Sequence, residues 1–155
     1  MAQQQIYEKT KFVSYDKLKV ISLTNVIVQD CYSIIRKQKM PYIEIKTNVQ
    51  VQDHKKFIKE LSTYSAAALN KPISYICVSL QDNLSMLFND SDEPTYIAGV
   101  TSIGLDSATK TKMSKELGEW LEKELKASND RGYIFYYGVD PANVGYKGSL
   151  IGQLI

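Results

Sequence analysis

The stretch Met40-Pro41-Tyr42-Ile43-Glu44-Ile45-Lys46-Thr47-Asn48-Val49 sets Tyr42, Glu44 and Lys46 against Ile43, Ile45 and Thr47. Alternation with a period of two marks a β-strand with two unlike faces, one of them fit for a core. The stretch opens on a methionine followed directly by proline, the form of a start site, although 39 residues precede it. An initiator methionine is usually trimmed when the next residue is small. Trimming here would leave Pro41 as a free secondary amine. Such an amine can act as a base, whereas the same nitrogen inside a peptide bond cannot.

Downstream of this strand the chain runs through a helix and a second strand, and then repeats the pattern. Asp53 to Leu69 reads as a helix capped by Asp53, with Phe57, Ile58, Leu61, Tyr64, Ala68 and Leu69 on one stripe. Asn70-Lys71-Pro72 ends it, because proline disfavours helical geometry in the residue before it. Ser74 to Leu80 reads as the next strand. The second round has a strand at Tyr96–Ile103, a helix at Ser107–Ala127 with Met113, Leu117, Trp120, Leu121 and Leu125 on one face, and a strand at Gly132–Gly138. The expectation is an α/β fold: a duplicated β-α-β unit forming a four-stranded mixed sheet with two helices on one face. Two helices cover only one face of such a sheet. Tyr133-Ile134-Phe135-Tyr136-Tyr137 is apolar or aromatic throughout, so its second face calls for cover from another copy. A homo-oligomer is expected.

Upstream, residues 1–39 read as a leader, being upstream sequence that is not translated, a segment that is removed or disordered, or an added element. Its apolar clusters keep no clean period, and it ends in Arg36-Lys37-Gln38-Lys39. Its basic residues (Lys9, Lys11, Lys17, Lys19, Arg36, Lys37 and Lys39) outnumber Glu8, Asp16 and Asp30, so the overall charge of +2 belongs to the leader. The folded domain, residues 40–155, is slightly acidic, which argues against a nucleic-acid surface. No uncharged run approaches the roughly 20 residues that span a bilayer, and no secretory signal layout is present, so no membrane role is expected. Cys31 and Cys77 read as free thiols, Cys77 buried in its strand. The lone histidine, His54, reads as solvated near a helix start and excludes a histidine triad or zinc cluster. Two Ser-x-x-Lys matches lack companion motifs. The sequons at Asn83 and Asn89 matter only in a secretory pathway.

Several separated stretches resemble the macrophage migration inhibitory factor and D-dopachrome tautomerase family. They are Met40-Pro41 with Thr47-Asn48-Val49, Lys71-Pro72 with Tyr75-Ile76, Glu93-Pro94, Ser102-Ile103-Gly104, Arg131 with Tyr133-Ile134, Ala142-Asn143-Val144-Gly145, and Gly148-Ser149. Their order and spacing carry the resemblance across residues 40–152. It implies a homotrimer whose sheets line an inner barrel. It also implies an isomerase, a phenylpyruvate and dopachrome tautomerase acting on small aromatic 2-keto acids by proton transfer, with no cofactor and no metal. Pro41 would be the catalytic base. Lys71 and the Ile103 backbone N–H would bind the substrate carboxylate, Tyr133 of an adjacent subunit would polarise the substrate oxygen, and Val144 and Tyr146 would form an apolar wall. The resemblance further implies cytokine-like activity through a cell-surface receptor, and a protein that is cytoplasmic and also secreted without a signal peptide. The rival reading is a catalytically silent cytokine-like signalling protein, above all if the leader stays attached.

The pattern has departures. Phe135 stands where the cytokine member usually has asparagine, and Tyr146 where it has tryptophan. Thr95 and Ala98 occupy its Cys-x-x-Cys positions, so thiol–disulfide activity is not carried over.

Overall fold

The computed structural model describes residues 40–154; the leader at 1–39 and Cys31 lie outside them. Strand β1 is Tyr42–Thr47, followed by helix α1 at His54–Ala68 and strand β2 at Cys77–Gln81. The second round is β3 at Tyr96–Ser102, α2 at Ser107–Leu125 and β4 at Gly132–Gly138, and a small hairpin follows with β5 at Gly145–Tyr146 and β6 at Ser149–Leu150. The sheet order is β2-β1-β3-β4. β1 and β2 are parallel, as are β3 and β4, while β1 and β3 meet antiparallel at the centre. The mixed sheet of two β-α-β units is the expected one.

The helices form where their caps and apolar stripes place them. Asp53 accepts from the Lys56 N–H at 2.8 Å. Asp106 caps α2 by accepting from the Thr109 N–H at 2.7 Å. Phe57 and Leu61 of α1 and Met113, Leu117, Leu121 and Leu125 of α2 pack with Ile43, Ile45, Ala98 and Val100 of the sheet into one buried cluster. Burying each such side chain contributes about 1.5–3 kcal/mol. Burial also moves the Tyr96 and Tyr136 phenols to higher titration, because it disfavours their charged forms. Tyr64 is pushed up as well, by burial first and by the Glu116 charge second.

Two expected boundaries shift, and one expected burial does not hold. The segment before β2 is a short 3-10 turn, Ile73–Tyr75, so the strand begins at Cys77 and not at Ser74. Helix α2 stops at Leu125 because Lys126 adopts the left-handed conformation at φ 56°. Cys77 is exposed, not buried. It pairs with Tyr42 in the ladder, and Tyr42 points to the face without helices.

That second face stays uncovered in the chain. Tyr42, Ile97, Tyr133, Phe135 and Tyr137 all lie exposed on it. The three β4 rings form a ladder, with Tyr133 and Phe135 centroids 6.1 Å apart and Phe135 and Tyr137 stacked at 6.3 Å. Scattered exposed apolar residues are ordinary, but a contiguous aromatic row marks an interaction surface.

A candidate active site at one end of the sheet

The topology sorts the predicted site residues into two groups. β1 starts beside the start of β2, where the Cys77 N–H donates to the Pro41 carbonyl at 3.0 Å. In the antiparallel ladder Tyr42 pairs with Thr101, so the residues after β3 arrive at this same end. Ser102 and Ile103 are both buried there. β4 also finishes there, with the Val139 N–H donating to the Ser102 carbonyl at 3.2 Å. Pro41 is fully buried, and its nitrogen is bonded to Met40 in the chain as it stands.

Two loops complete this end. At the close of α1, Asn70 takes a left-handed conformation at φ 50°, and the Lys71 N–H donates to the Ala66 carbonyl at 2.9 Å. The chain then turns through Pro72 and the 3-10 turn into β2, and Lys71 is half-buried at the start of that turn. After β4, Asp140 accepts from the Ala142 N–H at 2.8 Å and shapes the turn that delivers Val144 and Tyr146. The Ile151 N–H donates to the Val144 carbonyl at 2.8 Å and ties the hairpin back. Tyr75 meets Tyr146 edge-on, their centroids 6.5 Å apart, which joins the loop after Lys71 to the hairpin. Pro41, Ile103, the Lys71–Tyr75 loop, Val144 and Tyr146 thus gather at one end.

Tyr133 does not join them. It pairs with Ile97, which in turn pairs with Lys46 near the far end of β1. Its ring contacts Phe88 at 5.4 Å. Within one chain Tyr133 is therefore remote from Pro41.

The structure adds two residues that sequence reasoning did not assign to the site. Tyr75 lies four residues after Lys71, in the same loop. Lys147 places its ammonium 5.3 Å over the Tyr146 ring. It sits with Gly148 at the hairpin tip, where φ values of 51° and 77° make a tight two-residue turn. Its signal was the Lys-Gly pair between short extended stretches. The hairpin borders a shallow cleft of about 430 Å³. Chemically, this end offers an apolar wall, two lysines and a buried proline whose nitrogen becomes basic only when freed.

The opposite end is built from hydrogen bonds. Thr47 donates its hydroxyl to the Thr95 carbonyl at 2.7 Å, and Asn48 bonds the carbonyls of Asp92 and Glu93 and the N–H of Thr95. Arg131 donates to the carbonyls of Ser91, Glu93 and Pro94 at 3.1–3.2 Å. Its guanidinium also lies 5.6 Å over the Phe88 ring. These residues shape a loop, and that is reason enough for their being where they are.

Comparison with known proteins agrees with this architecture. The family model described as Macrophage migration inhibitory factor matches residues 40–152. Macrophage migration inhibitory factor of Mus musculus is 36% identical over 112 residues, covering 71% of this chain and 97% of the mouse protein. The macrophage migration inhibitory factor homolog of Brugia malayi is 30% identical over 115 residues, covering 73% of this chain and all of the worm protein. Among solved structures, the homologue from Prochlorococcus marinus superposes with a TM-score of 0.69 at 34% identity, covering 72% of this chain and 99% of its own. The Trichinella spiralis factor shares the fold with a TM-score of 0.66 at 24% identity, covering 70% of this chain and 97% of its own. Residues 40–152 therefore place this chain in the macrophage migration inhibitory factor family, within the tautomerase superfamily and among proteins of cytokine-like character.

Proposed function

We propose that the domain is a keto–enol tautomerase of phenylpyruvate-type acids, with dopachrome isomerisation as a related activity, and that Pro41 is its base once its nitrogen is free. The observation that carries this reading is the gathering of Pro41, Ile103, Val144, Tyr146 and the Lys71–Tyr75 loop at one sheet end. A free α-amino group titrates at about 7.7–8.0, leaving roughly a tenth to a sixth as free base at pH 7. Burial and a nearby cation both disfavour the charged amine. A fall to about 6 would make roughly nine tenths of it competent. The freed nitrogen would take a proton from the carbon beside the ketone while the ketone oxygen gains one, giving the enol. The reverse path returns the keto acid. Lys71 and the Ile103 N–H would hold the substrate carboxylate, with Val144 and Tyr146 against the aromatic ring. Tyr133 of the partner subunit would polarise the reacting oxygen.

This assignment of roles requires a homotrimer, and the exposed aromatic row on the sheet supports one. Cytoplasmic residence with export lacking a signal peptide, and a cell-surface receptor, belong to the same proposal through the family. Residues 1–39 are proposed to be a leader that is absent from, or removed from, the active form.

The test compares phenylpyruvate ketonisation, followed by ultraviolet absorbance, for protein beginning at Met40 with its methionine trimmed and for protein beginning at Met1. Activity confined to the trimmed form is expected. Equal activity from an intact Met1 form would overturn the free-amine mechanism. A second reading, a signalling protein without useful catalysis, is favoured by one observation: in the chain as it stands the Pro41 nitrogen is an amide.

A further inference from the structure

One concavity among the described residues lies away from the Pro41 end, on the outer side of the helix layer. It is an open groove of about 920 Å³ between α1 and α2, within the roughly 300–1,000 Å³ typical of small-molecule clefts. Lys55, Lys56 and Lys59 line it from α1, and Lys123, whose ammonium lies 3.3 Å from the Glu124 carboxylate, lines it from α2. Lys55 and Lys59 stack at the i, i+4 spacing and have no ion-pair partner among the described residues. Like charges at that spacing repel, so helix stability does not account for them. The two carboxylates in the groove are engaged: Asp53 caps Lys56, and Glu60 lies 3.9 Å from the Lys56 ammonium.

Its aromatic element is Trp120. One side of the indole rests on Phe57, with centroids 4.8 Å apart, and the half-buried remainder lines the groove. A planar apolar surface beside several ammonium groups suits a ligand that is flat at one end and multiply anionic at the other. The cations are all lysines, which act as point charges toward phosphate and lack the planar fork that arginine offers carboxylates. An acidic peptide would want several apolar anchors or a free sheet edge, and the groove offers a single large indole. From this we infer that the α1–α2 groove binds a nucleoside polyphosphate, with the base against Trp120 and the phosphates among Lys55, Lys59 and Lys123. The groove lies on the helix side, so it stays open whether or not the other sheet face is covered.

Trp120 is the chain's single tryptophan, so its fluorescence reports on the groove directly. ATP is titrated against the full chain with excitation at the red edge, where the nucleotide does not absorb. Saturable quenching at up to millimolar ATP is expected. Lys55→Glu with Lys59→Glu should weaken it at least roughly tenfold, consistent with loss of exposed, salt-sensitive charge contacts. The milder Lys55→Gln with Lys59→Gln should lie between, with circular dichroism confirming both variants folded. Inorganic tripolyphosphate should bind more weakly and leave the Trp120 spectrum unmoved. Three results would overturn the inference: no saturable quenching, quenching indifferent to charge reversal, or tripolyphosphate or polyglutamate competing as well as ATP does. None of these depends on the tautomerase reading.

Discussion

The two ends of the sheet are built on opposite plans. At the Asn48 and Arg131 end, side-chain donors close on the 91–95 loop carbonyls, and the threonine hydroxyls of Thr47 and Thr95 each find a backbone acceptor. At the Pro41 end, backbone bonds join the strand starts, the Tyr42 and Ser79 hydroxyls meet at 2.7 Å, and the flanking loops bring rings and lysines. The first arrangement uses up its polar groups internally. The second surrounds a buried proline with loop side chains instead. A fold can spend one end of its sheet on closure and keep the other for chemistry, and mutations at the two ends should then separate stability from activity.

The sharpest test of that separation is Pro41→Gly in protein trimmed of Met40. Phenylpyruvate turnover should fall by roughly a hundred- to ten-thousand-fold, the usual worth of a positioned base. The protein should stay folded, with the denaturant midpoint lowered only by the loss of one buried side chain. Arg131→Ala should do the reverse. It removes three charge-assisted hydrogen bonds from a guanidinium side chain only 15% exposed. A loss of about 3 kcal/mol in urea unfolding is expected, with the Pro41 chemistry much less affected. Gly132→Ala tests the same end by packing, because an added Cβ would sit 2.5 Å from the Tyr96 ring. About 1–3 kcal/mol should be lost, the ordinary cost of overpacking. If Arg131→Ala abolished turnover in a protein that remained fully stable, the division between the ends would be wrong.

The smallest expected effect is a pH dependence. Asp82 accepts from the Val51 N–H and lies 2.8 Å from His54 Nε2. The Val51 bond first, and the histidine second, hold its carboxyl below the ordinary range. A depressed folded pKa contributes stability above the unfolded value of about 3.9, and that stability is lost as pH falls through the folded value. Asp82→Asn should therefore flatten part of the acid limb of a stability–pH curve below about pH 4. An unchanged acid limb would show that the carboxylate does not stabilise the fold.

Much of this was legible in the chain. Alternation in Tyr42–Thr47 and the stripes through Phe57 and Leu61, and through Met113 and Leu117, are local patterns dictated by the period of each element. They sufficed for element order, for the buried face and for the exposed aromatic row. Cys77 was misjudged because an apolar strand neighbourhood does not reveal which face a residue takes. Its register against Tyr42 decides that. The start of β2 slipped for a similar reason, since Pro72 permits either extended chain or a 3-10 turn. Lys147 and Tyr75 escaped because their importance lies in contacts with Tyr146, across gaps in sequence.

By itself, the sequence determined two β-α-β units, their caps, and a proline positioned to begin the first strand. It did so because caps and periodicities are short-range and each residue's neighbours are known. Only the tertiary structure decided that Pro41, Ile103 and Tyr146 share one end while Tyr133 occupies the other. That outcome follows from the antiparallel meeting of β1 and β3, a long-range pairing set by how two halves bury one common face.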